Sequence, residues 1–333
     1  MFRNSVPHSV GEIALPVTRE EAVYAYRLIL GREPESELVI EHAMLAENIA
    51  ELRGAFLGCE EFIKKQGHAV PQHLPIGRFI DSSDCQVDLE CTPDQRAAMF
   101  QRIGRAWQAF GESEPHWSVL VSDDFRQDRL AANLDRFYAS ASGDIEVAFG
   151  CLRRAGLSTS FGKALDFGCG VGRLSLTLAK HADHVTGIDI SPPHLRLAAE
   201  RARDQKIENV GFEAITSVDD LDRFRGFDFV LSLIVLQHNP PPVMAALYEK
   251  LLQTLAPGGV SIIQMPTFIA GQDFSVPEYL ANEQPQMEMN ALPQNIVFEI
   301  IERAGCRALE VREDGYTGHH AIVSHIFVVQ KKA

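Results

Sequence analysis

One ten-residue stretch restricts the fold of this chain more than any other: Ala164-Leu165-Asp166-Phe167-Gly168-Cys169-Gly170-Val171-Gly172-Arg173. A short apolar run ends in an acid, glycine then occupies every second position, and a helical pattern begins at Leu174. Glycines so placed let the backbone turn sharply and approach a ligand closely. Strand, bare loop and helix start together open a nucleotide-cradling βαβ unit.

Downstream, strand and helix patterns alternate. Strands are expected at Lys163–Phe167, His184–Ile190, Val210–Ile215, Phe227–Leu233, Gly259–Met265, Ala308–Arg312 and Ile322–Gln330. Helices are expected at Arg173–Lys180, Pro193–Gln205, Pro241–Leu255 and Gln294–Ala304. This alternation predicts an α/β fold, a Rossmann-like and mostly parallel sheet with helices on both faces. Ligands in such sheets bind beyond the carboxyl ends of the strands, so the residues that follow each strand bear the chemistry.

A dinucleotide fingerprint requires Gly-x-Gly-x-x-Gly, and here the third glycine arrives one residue early. Asp166 also stands where a pyrophosphate would gain nothing from a negative charge; it suits an ammonium or sulfonium. Asp189 follows the second strand and can accept both hydroxyls of a ribose. An acid, a glycine loop and a second acid match adenosine with a cationic tail.

At these positions the chain resembles the class I S-adenosylmethionine-dependent methyltransferases. The resemblance runs through Leu165–Arg173, Gly187-Ile188-Asp189-Ile190-Ser191, Phe227–Leu233 and Leu255-Ala256-Pro257-Gly258-Gly259. It implies seven strands with the last antiparallel, and S-adenosylmethionine held by Asp166, Gly168, Cys169, Gly170, Gly172, Arg173, Asp189, Ile190, Ser217 and Ser232. For the adenine-facing position after the third strand, Thr216, Ser217 and Asp219 are all candidates. His238 follows the fourth strand, either as the base for a hydroxyl acceptor or as a residue that caps the next helix or hydrogen-bonds backbone. His320, beside His319 in the loop before the last strand, is a further candidate base or a surface residue. The two histidines could bind a metal, but two adjacent ones in a loop are weak evidence for a metal site. Trp117, Tyr138 and Met287-Glu288-Met289-Asn290 form a candidate lid or plain core.

The resemblance implies methyl transfer to a small-molecule or glycan acceptor, at oxygen, in the manner of bacterial enzymes of polysaccharide and small-molecule pathways. The competing readings are a cofactor-binding scaffold without catalysis and a nicotinamide oxidoreductase, which the early third glycine disfavours.

Ahead of this region, Thr18-Arg19-Glu20-Glu21 reads as a capping box. Amphipathic helices follow to about Leu30, from about Ser36 to Leu52 and over Phe56–Lys65. The tract from Tyr26 to Pro34 with Phe56–Phe62 resembles a bacterial helical domain of unknown function that accompanies glycan-related enzymes; it is a packing module or an interaction surface. The expected domains are a helical module at 1–70, a linker and helix at 71–115 with its helix from Thr92 to Phe110, and a methyltransferase domain at 116–333. Within the last, 116–160 is a helical lid, with helices at Asp123–Tyr138 and Asp144–Ala155, and 161–333 is the core.

Composition excludes other classes. The formal charge is −14, with 11 basic and 18 acidic residues in 1–115 and 20 and 27 in 116–333. No basic run of five or more residues exists, which argues against non-specific nucleic-acid binding. The six cysteines show no CxxC pair and read as reduced thiols. No apolar run is long enough for a signal peptide or a membrane span, so a cytoplasmic protein is expected.

Overall fold

The computed structural model describes residues 16–65, 86–283, 287–318 and 321–332. The chain divides into two units, Met1–Gly77 and Arg78–Ala333.

In the first unit, helix Arg19–Ile29 begins on the capping box: Glu21 N–H donates to Thr18 Oγ1 at 3.3 Å, and the Thr18 N–H donates to the Glu21 carboxylate at 2.8 Å. Gly31, at φ +64°, ends it. The helix expected over 36–52 is two helices, Glu37–Ala43 and Ile49–Leu57, with Glu60–Lys65 after them. The break arises at Asn48, whose side chain accepts the Glu51 N–H at 3.0 Å and starts a new helix. Val17, Ala22, Ala25, Leu30, Ile40, Leu52, Phe56 and Phe62 make the core, while Leu38 and Leu45 stay 74% and 76% exposed. Of the apolar positions in this stretch, Ile40 faces the core and the two leucines face outward.

The second unit is built on one seven-stranded sheet. Its strands are β1 Phe161–Phe167, β2 Ala182–Asp189, β3 Val210–Ala214, β4 Phe227–Ser232, β5 Leu255–Ile269, β6 Cys306–Asp314 and β7 Ile322–Lys331. They lie in the order β3-β2-β1-β4-β5-β7-β6, and only β7 runs antiparallel to its neighbours. Alternate side chains enter opposite layers, as a strand covered on both faces requires. In β7, Phe327 and Val329 join one core with Leu165 and Val230, whereas Ile326 and Val328 join another with Phe149 and Phe229. The order reverses between β1 and β4, and that switch point locates the ligand crevice.

Three elements differ from expectation. Helix Pro93–Ser113, expected to end near Phe110, runs three residues further and packs as a layer: Met99, Phe100 and Ile103 are buried in the first core. Its N-terminus carries the expected Thr92 cap. The helix expected at Asp123–Tyr138 is a 3-10 turn at Asp123–Phe125 and a helix at Leu130–Ala139. Arg126 breaks it by turning extended (ψ 151°), with its guanidinium 4.3 Å over the Trp117 ring. Finally, β5 runs on to Ile269 past a register shift at Pro266/Phe268, and residues 273–274 pair with 86–87. Among the described residues no helix is long and apolar enough to cross a membrane.

Candidate active site

The loop after β1 is locked to β2. Gly168 N–H donates to Ile188 O at 2.7 Å, and Gly170 N–H donates to Asp189 Oδ2 at 2.8 Å. Gly168 has φ +75°, and a Cβ there would lie 2.3 Å from Val235 Cγ2. Both the left-handed backbone and the close pass of the β4 loop demand glycine. Gly168→Ala should therefore lower stability by about 1–3 kcal/mol and displace the loop; a thermal midpoint equal to the parent's would contradict this.

The loop forms one wall of a cavity of about 430 Å³ beyond the ends of β1 and β4. Asp166 lines it and is itself 1% exposed. Burial pushes its carboxyl up to about 6, against the opposing pull of Ser175, whose hydroxyl donates to Oδ2 at 2.5 Å, and of the Arg173 guanidinium. Arg173, on the same wall, pairs with Asp144 at 2.7 Å and donates to Ser140 at 3.1 Å. Its buried Nε has no hydrogen-bond partner among the described residues. Asp144 also accepts from the Tyr316 hydroxyl at 3.2 Å, and Tyr316 and Thr317 close that side of the cavity.

Asp189 accepts Gly170 N–H with one oxygen and Ser191 N–H, at 2.9 Å, with the other. Each oxygen keeps a lone pair for a ligand. Ile190 and Ile215 flank it with apolar surface. Helix Pro93–Ser113 lies close over this edge because Gly104 and Gly111, seven residues apart on one face, have no side chain to hold it off. A Cβ on Gly104 would stand 3.3 Å from Ile190, and one on Gly111 2.7 Å from both His194 and Ser191. His194, buried, joins Ser191 Oγ at 2.7 Å to Ser118 Oγ at 3.0 Å, and burial holds its imidazole below the usual histidine range.

His238 lines the cavity in the turn after β4, its ring 5.1 Å from that of Trp107. Its Nδ1 lies 2.7 Å from Glu288 O. A carbonyl only accepts, so Nδ1 carries the proton and Nε2 keeps the lone pair. Burial pushes this imidazole down to about 4, so it is neutral throughout the physiological range. It does not cap the next helix, which starts with prolines.

The other expected site residues are distributed as follows. Gly168, Cys169, Gly170, Arg173, Asp189 and Ile190 line the cavity with Asp166 and His238. Gly172, at φ +81°, is the N-cap of helix Arg173–Leu178 and stands behind the wall, against Ala198 and Phe212. Ser217 and Ser232 are not lining residues: Ser217 caps the turn Val218–Arg223, and Ser232 spends its hydroxyl on Phe167 O at 3.0 Å. Thr216 donates to Asp220 and Asp219 pairs with Lys250, so Ile215 is the β3-end residue that reaches the cavity. His319 and His320 lie outside the described residues. Of the expected lid, Met287 and Met289 line the cavity; Trp117 packs with Phe110 and Arg126, and Tyr138 donates to Val171 O. Among the described residues no group of three or more His, Cys, Asp or Glu is placed to hold a metal.

Sequence reasoning did not find Trp107, His194, Gln237 or Asn239. His194 had a signal: it sits in the first helical turn after the Asp189 strand. Trp107 had none, since only the packing of its helix brings it to the site.

The sheet order, with a glycine loop and two strand-end acids at the switch point, defines a nucleotide-binding α/β enzyme fold. Residues 164–259 match the family described as methyltransferase domain, and over that stretch the chain is a class I S-adenosylmethionine-dependent methyltransferase domain. The chain is 30% identical over 136 residues to the ubiquinone biosynthesis O-methyltransferase of Psychrobacter cryohalolentis, covering 40% of this chain and 49% of that one. It is 34% identical over 105 residues to the enzyme of the same name from Xylella fastidiosa, covering 31% and 41%. It thus spans about half, or less, of the length of these curated relatives. Magnesium protoporphyrin IX methyltransferase from Synechocystis, solved with bound S-adenosylhomocysteine, superposes with a TM-score of 0.48 at 19% identity over 69% of this chain and 98% of that one.

Proposed function

We propose that this protein is an S-adenosylmethionine-dependent O-methyltransferase whose acceptor is a hydroxyl on an apolar, ring-bearing small molecule. The observation that carries the reading is His238: a neutral imidazole at the cavity wall, tied at Nδ1 and left with Nε2 to take a proton.

The residues present fit the cofactor. Asp189 offers a carboxylate lone pair to each ribose hydroxyl, Ile190 and Ile215 offer flat apolar surface to an adenine, and Asp166 faces a cationic tail. The unpartnered Nε of Arg173 suits a carboxylate on that tail. When bound, the cofactor supplies an electrophilic methyl carbon, and the sulfur keeps the electron pair of the bond that breaks. The chain's own part is to hold the acceptor in line and to receive the hydroxyl proton on His238 Nε2 as the new carbon–oxygen bond forms.

Trp107, Val121, Ile234, Val235, Met287 and Met289 form a largely apolar part of the remaining wall, with Gln237 and Asn239 among its polar members. A glycan needs a dense set of hydrogen-bonding partners, so of the two acceptors expected from the sequence this wall favours the small molecule over the glycan. The relatives' name, an O-methyltransferase of ubiquinone biosynthesis, points the same way. Incubating the purified chain with methyl-labelled cofactor and separate panels of phenols, catechols and glycans tests it. Label in a phenolic product supports the reading; label only in glycans, or cofactor binding with no transfer, overturns it.

A second consequence concerns protons. Asp166 is half protonated near pH 6, and a cationic ligand beside it demands the ionised form. Cofactor binding at pH 5.5 should therefore release about one proton and weaken as pH falls below 6. Calorimetry in two buffers of different ionisation enthalpy would show it, and a buffer-independent heat would refute it.

A further inference from the structure

The segment Met287–Asn290, outside any helix or strand, forms a strap at the cavity wall. Met287 and Met289 face the cavity, while Glu288 and Asn290 are buried on the other side. The strap is joined to the turn after β4 at two points: Asn290 N–H donates to Gln237 O at 2.8 Å, and Glu288 O receives the His238 Nδ1 proton at 2.7 Å. The carbonyl that selects the tautomer of His238 therefore belongs to the same residue whose side chain anchors the strap.

That anchor is elaborate for one side chain. The Glu288 carboxylate accepts the Tyr279 hydroxyl at 2.5 Å on one oxygen and the Asn290 amide at 3.3 Å on the other. Arg102, from helix Pro93–Ser113, holds Tyr279 in turn. Its guanidinium lies 4.8 Å over the Tyr279 ring and donates to the carbonyls of Tyr279, Leu280 and Asn282 at the end of helix Val276–Ala281. A chain of contacts thus runs from Arg102 through Tyr279 and Glu288 to the imidazole. Burying a carboxylate is unfavourable unless its oxygens are satisfied, and here they are satisfied by groups that fix the strap in one position.

We infer that Glu288 is a positioning residue: its carboxylate holds the strap so that its own carbonyl keeps His238 in the Nδ1–H tautomer. Without it the ring is free to move the proton to Nε2, the tautomer that cannot accept from a hydroxyl at that atom. The inference rests on the proposed role of His238 for its catalytic meaning, but not for its structural content.

The test uses the full chain with nitrogen-15-labelled histidine, the His238 signals being assigned by their loss in His238→Gln. The parent is expected to show the Nδ1–H pattern alone. Glu288→Ala should show a mixture or the Nε2–H pattern, with S-adenosylhomocysteine affinity within about 3-fold of the parent and kcat at least about 10-fold lower. Glu288→Gln, which still accepts from Tyr279, should restore the parent pattern. Tyr279→Phe removes the hydroxyl that holds the Glu288 carboxylate and so loosens the strap's anchor; it should shift the tautomer in the same direction and serves if Glu288→Ala fails to fold. An Nδ1–H pattern retained in both Glu288→Ala and Tyr279→Phe, or in the one that folds, overturns the inference. Parent-like turnover of His238→Ala would instead overturn the base assignment and leave the tautomer result standing.

Discussion

Replacing Asp189 by alanine should weaken S-adenosylhomocysteine binding by roughly 10²–10⁴-fold. Two charge-assisted hydrogen bonds to the ribose are lost, each worth about 1.5–3 kcal/mol. The free protein loses something too, because the same carboxylate holds Gly170 N–H and Ser191 N–H and so ties the glycine loop to the helix after β2. Asp189→Asn keeps one acceptor oxygen and should fall between the two. Titration calorimetry is the measurement; an alanine variant binding as tightly as the parent would sink the assignment of the cavity to an adenosine cofactor.

His238→Ala should leave that affinity nearly intact and reduce kcat by about 10²–10⁴-fold. The pH profile of the parent supplies a second reading. A base must be deprotonated to act, and burial has moved this one down to about 4. The acid-side loss of kcat/KM attributable to His238 should therefore be centred near pH 4, not near the 6.5 of an exposed imidazole. Parent-like turnover in the alanine variant would dismiss His238 as the base.

The parts of the site that could be read in the sequence are those set by local backbone geometry. Alternating glycines, the acid before them and the acid at the end of the next strand occupy fixed places in a βαβ unit, and Asp166, Gly168, Gly170 and Asp189 are found at the switch point. Ser217 and Ser232 were carried over by position alone. What a serine does with its hydroxyl depends on its nearest backbone group, and in both cases a turn or a neighbouring strand takes it. Trp107 and Met287 depend on tertiary packing, where residues far apart in sequence meet, and no periodicity encodes that meeting. The leucines at 38 and 45 mark the same limit from the other side, since an apolar stripe does not reveal which neighbour covers it.

The glycine pair Gly104 and Gly111 has a consequence for how this chain diversifies. The stretch that matches the family, 164–259, holds the loop and the acids. Trp107, Val121, Met287 and Tyr316 all come from outside it. A helix that rests on Ile190 and His194 through two missing side chains can be tilted or slid by substitutions there without touching the loop. Selection could therefore exchange one acceptor for another while the glycine loop and its two acids stay as they are.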